Sequence, residues 1–141
     1  MKSSIEQLQE QTIEDFSLFD DWTGKYEYLI DLGKNLPLID PKYKTEEYRI
    51  KGCQSQVWLH AAMEGEVLEF KADSDAIITK GMIALLINVL SGQKPEDIAH
   101  GDLFFIDKIG LREHLSPTRS NGLAHMVDRM KVSALAFIER V

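Results

Sequence analysis

Cysteine is almost missing from this chain: of its 141 residues, only Cys53 carries a thiol. One thiol closes no internal disulfide, so the disulfide scaffold of a small secreted domain is excluded. Proline is also scarce, four in all, and there is no low-complexity or repeated segment. No run of Lys and Arg occurs, and the formal net charge is −7. That speaks against a nucleic-acid partner, whose phosphates call for clustered cations. The longest apolar run, Met82-Ile83-Ala84-Leu85-Leu86-Ile87, is far too short for a membrane span. The opening MKSSIEQLQEQTIEDF is too polar for a signal peptide. Cytoplasm is the expected compartment, where a lone thiol stays reduced.

What remains is an ordinary globular composition, 44% hydrophobic and 28% charged. The length fits one domain, residues 1–141, large enough to bury a real core. Three patterns follow one another. The first 35 residues read as helical. Ser3 or Ser4 offers a first cap and Asp20 or Asp21 a second, with stripes Ile5, Leu8, Ile13, Phe16 and Trp22, Tyr26, Leu29, Ile30. Gly33 stands where a helix C-cap belongs, with Pro37 as a stop beyond it. Residues 36–46 read as a loop. Residues 47–73 then switch to period two, giving two or three antiparallel strands with a turn near Glu64-Gly65. Gly52 interrupts that pattern and suggests a bend.

Helical period returns after Asp73. Asp73, Ser74 or Asp75 is the expected cap, Leu90 the end and Gly92 the terminator. Gly81 inside that helix points to close packing against another element, since glycine there costs about 1 kcal/mol against alanine. A short helix follows at Pro95. The last apolar face is Leu123, Met126, Val127, Met130, Ala134, Phe137 and Ile138, although Asn121-Gly122 is also a turn signal. The sum is α+β: a small antiparallel sheet of about three strands with helices on one face.

Chemistry narrows by elimination. The four histidines, His60, His100, His114 and His125, lack the spacing of a zinc site, so no metal is expected. Phosphate-binding glycine motifs and Gly-x-Ser-x-Gly are absent. Paired carboxylates such as Asp73 and Asp75 read as helix-start residues. The thiol is left, either as a small core residue or as a reactive sulfur. Gly52 bends its neighbourhood, Gln54, Ser55 and Gln56 make it polar, and Arg49 and Lys51 are cations that favour a thiolate. A Cys–His hydrolase would need His60 or His125 brought close in space. Arg119 stands out as well. With Ser116 as N-cap, it lies in the first turn of a helix, against the helix dipole. It is either a solvated charge or a cation held for an anionic partner or thiolate.

In order along the chain, DWTGKYEYLIDLGKNLP, GCQSQVW, DSDAIITKGMIALL and LSPTRSNGL resemble the SufE family. The resemblance implies a fold like SufE and the NifU/IscU scaffolds, and a sulfur acceptor rather than an independent enzyme. In that role Cys53, by its place in GCQSQVW, takes sulfur as a transient persulfide from a cysteine desulfurase of SufS or CsdA type. It stimulates that enzyme and passes sulfur to an iron–sulfur scaffold complex such as SufBCD. Pyridoxal phosphate (PLP) belongs to the desulfurase, and no resident cofactor is implied. Lys51, Gly52, Gln54, Ser55, Gln56 and Arg119 become candidate partner-binding residues, and a homodimer is compatible. A mobile loop, shielded when free, is the expected home of Cys53. The rival readings are an IscU-like iron–sulfur scaffold, for which a single cysteine is a poor ligand set, an independent thiol enzyme, and an interaction module in which Cys53 is inert core.

Overall fold

The computed structural model describes residues 3–139. Helix α1 spans Ile5–Ser17 and α2 spans Trp22–Lys34. The α1 cap is a reciprocal box. Ser4 Oγ accepts from Gln7 N, and Gln7 Oε1 accepts from Ser4 N, so two orphan donors at the helix start are satisfied. Asp21 caps α2 by accepting from Gly24 N at 2.9 Å. Two short 3-10 turns, Pro41–Tyr43 and Glu46–Tyr48, lead to strands β1 (Val57–Glu64) and β2 (Val67–Ser74). Then come α3 (Ile77–Leu90), α4 (Pro95–His100), α5 (Phe105–Lys108) and the long α6 (Pro117–Glu139).

Among the described residues the sheet has two strands, not three. β1 and β2 pair antiparallel from Val57 opposite Ser74 to Glu64 opposite Val67. Arg49 and Leu38 flank this hairpin only through single bridges, to Trp58 and Ala72 respectively. Neither can extend into a strand. Pro37 and Pro41 lack ladder donors, and Gly52 turns the chain away at φ +90°. The period-two reading is sound from Val57 onward. Val57, Leu59, Leu68, Phe70 and Ala72 are buried on the inner face. Trp58 and His60, on the other face, are half-buried.

Helix α3 lies at the centre, with Met82–Ile87, Val89 and Leu90 all buried. It crosses α2 at two glycines. A Cβ on Gly81 would sit 2.4 Å from the Leu29 carbonyl oxygen, and one on Gly33 would sit 3.0 Å from Gly81 N. Close packing is the reason for Gly81, as expected. Gly33 shares that reason and is not the cap: α2 continues to Lys34 and closes on Asn35. The start of α3 also differs from expectation. Its N-cap is Ala76, without a side-chain cap, because Asp73 and Asp75 have longer-range partners. Asp73 takes Lys44 at 2.5 Å and Lys80 at 3.4 Å. Asp75 reaches the cysteine loop. Gly92, at φ +78°, follows the α3 C-cap Ser91 as foreseen.

Candidate functional site: a loop-borne thiol under the last helix

Cys53 sits on a loop between Ile50 and Val57. The loop is closed at its neck by Ile50 N donating to Val57 O at 2.7 Å. Both neck residues are buried, so the loop leaves the core and returns to it at one point. Its return arm is tied to the β2–α3 junction. Gln56 N donates to Asp75 Oδ1 at 2.9 Å, Asp75 N donates back to Gln56 O at 3.2 Å, and Thr79 Oγ1 donates to Ser55 Oγ at 3.4 Å. This is why Asp75 does not cap α3. The approach arm carries Arg49, held by Glu46 through two hydrogen bonds of 2.8 and 3.0 Å.

The thiol points at α6. Cys53 Sγ–H donates to the Gly122 carbonyl across 3.6 Å. A Cβ on Gly122 would lie 3.4 Å from Sγ, in van der Waals contact. Asn121-Gly122 is therefore not a turn. Helix α6 begins at Pro117, runs through both residues, and is capped by Ser116 Oγ accepting from Arg119 N at 3.3 Å. A cavity of about 60 Å³ adjoins the sulfur, lined by Thr79, Met82, Thr118, Arg119, Gly122 and Met126 together with Cys53, Gln54 and Ser55. That is several times the roughly 10–15 Å³ that a water requires.

The electrostatics reverse one sequence expectation. Burial of the half-buried thiol pushes the Cys53 pKa up, and the Arg49 charge pulls it down by less. In this seat the neutral thiol is the favoured form of Cys53. The cation near the sequence motif moderates the effect without producing a thiolate.

Of the candidate partner-binding residues, Gln54, Ser55 and Arg119 share the cavity with Cys53. Lys51, Gly52 and Gln56 are on the same loop, exposed and outside the cavity lining. His60 does not join the site. It stacks on Tyr43 at 3.9 Å, with Tyr48 edge-on, and its pKa is lowered by burial and by Lys42 and Lys71. His125 does approach the loop, through Gly52: a Cβ on that glycine would meet the His125 ring at 2.3 Å. Among the described residues no cluster of three or more His, Cys, Asp or Glu side chains is arranged to hold a metal ion. Nor is any helix there long and apolar enough to cross a membrane. Gly122 and Met126 had a signal in the sequence, since Arg119, Gly122 and Met126 fall at i, i+3 and i+7 on one helix face. Thr79 and Met82 had none, because their place under the loop depends on how α3 packs.

A two-stranded sheet, a covering layer of helices and one thiol seated on the last helix define a small α+β protein built around a loop-borne cysteine. The same fold occurs in a hypothetical protein from Thermus thermophilus whose structure was solved in solution. Its TM-score is 0.78 at 23% identity, covering 94% of this chain and 96% of that one. The chain belongs to the SufE family: the model described as "Fe-S metabolism associated domain" matches residues 10–134. Uncharacterized SufE-like proteins of Rhizobium meliloti (strain 1021) and Rhizobium etli are each 43% identical over 130 residues. The match covers 89% of this chain and 93% and 88% of theirs. SufE-like protein 1, chloroplastic/mitochondrial, of Arabidopsis thaliana is 42% identical over 113 residues, 79% of this chain and 30% of that protein.

Proposed function

We propose that this protein is a sulfur acceptor and carrier for a PLP-dependent cysteine desulfurase, with Cys53 as the accepting residue. The observation that carries the reading is the seat of Cys53. It lies on a loop closed at a single neck, half-buried against Gly122, with free space beside its sulfur. An inert core cysteine needs neither a φ +90° glycine before it nor a cavity next to it. Family membership supports a cysteine desulfurase as the partner class; a SufS- or CsdA-type enzyme as that partner, and delivery to iron–sulfur cluster assembly through a scaffold such as SufBCD, are part of the proposal.

The transfer is an exchange at sulfur. Cys53, deprotonated as its loop leaves the buried seat, attacks the outer sulfur of the desulfurase persulfide. A new S–S bond forms on Cys53 Sγ as the bond to the desulfurase cysteine breaks, and that cysteine departs as a thiolate. No second cysteine in this chain can attack the product, release sulfide and close a disulfide. On return of the loop, the cavity beside Sγ has room for the added sulfur, with Arg119 on its wall. Shielding there keeps the group from further oxidation. Lys51, Gly52, Gln54 and Gln56 form the exposed rim that meets the partner, and a reducing cytoplasm keeps the thiol available.

The test is desulfurase turnover. Alanine release from L-cysteine by the cognate desulfurase should rise severalfold when the protein is added, and Cys53→Ser should give no rise. Equal stimulation by the wild type and by Cys53→Ser would remove Cys53 from the role.

A further inference from the structure

Three successive turns of α6 grip the approach to the thiol. Gly122 O accepts from Cys53 Sγ at 3.6 Å. One turn on, the His125 ring lies over Gly52. A Cβ built on that glycine would fall 2.3 Å from Cδ2, 2.5 Å from Nε2 and 2.7 Å from Cγ. One turn further, Arg129 Nη2 donates to Glu47 O at 3.1 Å. The similar distances to three ring atoms mean that the imidazole lies face-on across the place a Gly52 side chain would take. Glycine at φ +90° presents a flat surface there, and the ring occupies it. His125 is itself an exposed residue of a surface helix. Its side chain can swing off the loop without disturbing the core, unlike the buried Met126 beside it.

We infer that His125 is a positioning residue for the Cys53 loop: its ring, seated on Gly52, holds the loop in the closed position and must move aside when the thiol is presented. This rests on the sulfur-acceptor reading for its purpose but not for its measurement. Packing contacts of this kind are individually small and sum over the ring, so removing them should shift the loop without unfolding the protein.

The experiment is alkylation of Cys53 by iodoacetamide in the isolated protein, followed across pH. His125→Ala should raise the high-pH plateau rate by about threefold, the scale of a few lost dispersion contacts. The midpoint and the melting temperature should not move. His125→Phe, which restores a flat ring, should return the plateau close to wild type. An unchanged plateau in His125→Ala would overturn the inference. So would a moved midpoint at constant plateau, or a Phe variant as fast as the Ala one. No desulfurase is present in this assay. A fast His125→Ala combined with no sulfur uptake by any form would therefore leave the latch standing and remove the acceptor reading instead.

Discussion

Cys53 is held by two opposing influences, and the balance sets when its sulfur is available. Burial raises its pKa and Arg49 lowers it by less. The folded protein therefore binds the thiol proton more tightly than the unfolded chain does. By linkage, this contribution to stability is present in full below the ordinary thiol value of about 8.5 and is lost as pH rises from there through the raised value. The alkylation midpoint of Cys53 in the folded protein should lie above that of the same chain unfolded in urea. A midpoint at or below the unfolded one would mean that Arg49 outweighs burial. The sequence shows Arg49 and Lys51 beside the cysteine but not the burial, because the covering residues come from α3 and α6, far along the chain. His125 was legible as a histidine within possible reach of the thiol. Its contact is with Gly52, a geometry that only the assembled loop and helix reveal.

Among the elements, local chemistry was readable wherever its partner was also local. Ser4, Asp21 and Ser116 each satisfy a backbone donor three residues ahead, so spacing in the sequence identifies them. Asp75 has the same residue chemistry but serves Gln56, 19 positions back, and α3 starts uncapped. Gly122 looks like a turn residue and lies inside a helix of 23 residues. Its carbonyl accepts from the Cys53 thiol across 3.6 Å. The third strand failed for a related reason: the segment before Cys53 is spent on a loop rather than a ladder. Gly81 was legible as a packing glycine because an interior glycine is costly without a reason. Its partner Gly33 was not. Gly81→Ala should drive a methyl into the Leu29 carbonyl of α2 and destabilise the protein by about 1–3 kcal/mol, an overpacking cost. Thermal or urea unfolding checks this, and an alanine variant as stable as wild type would show that the crossing relaxes freely.

For the molecule as a whole, the fold places its single thiol on a loop that starts from and returns to the buried core. The neck residues Ile50 and Val57 belong to the same hydrophobic core as α3 and α6. The α+β class and the order of the elements were readable from hydrophobic period, and the family from four ordered motifs that cover the elements building the site. Shielding of the thiol was an expectation of the resemblance; strand count and the residues that cover the thiol were not legible, since both depend on how distant segments pack. The central claim is that Cys53 accepts one sulfur atom. It is tested most directly by incubating the protein with a cognate desulfurase, PLP and L-cysteine, then weighing the intact chain. The wild-type chain should gain one sulfur atom, reversed by a thiol reductant and absent from Cys53→Ser. A wild-type chain that gains nothing, or a Cys53→Ser chain that gains the same mass, would contradict it.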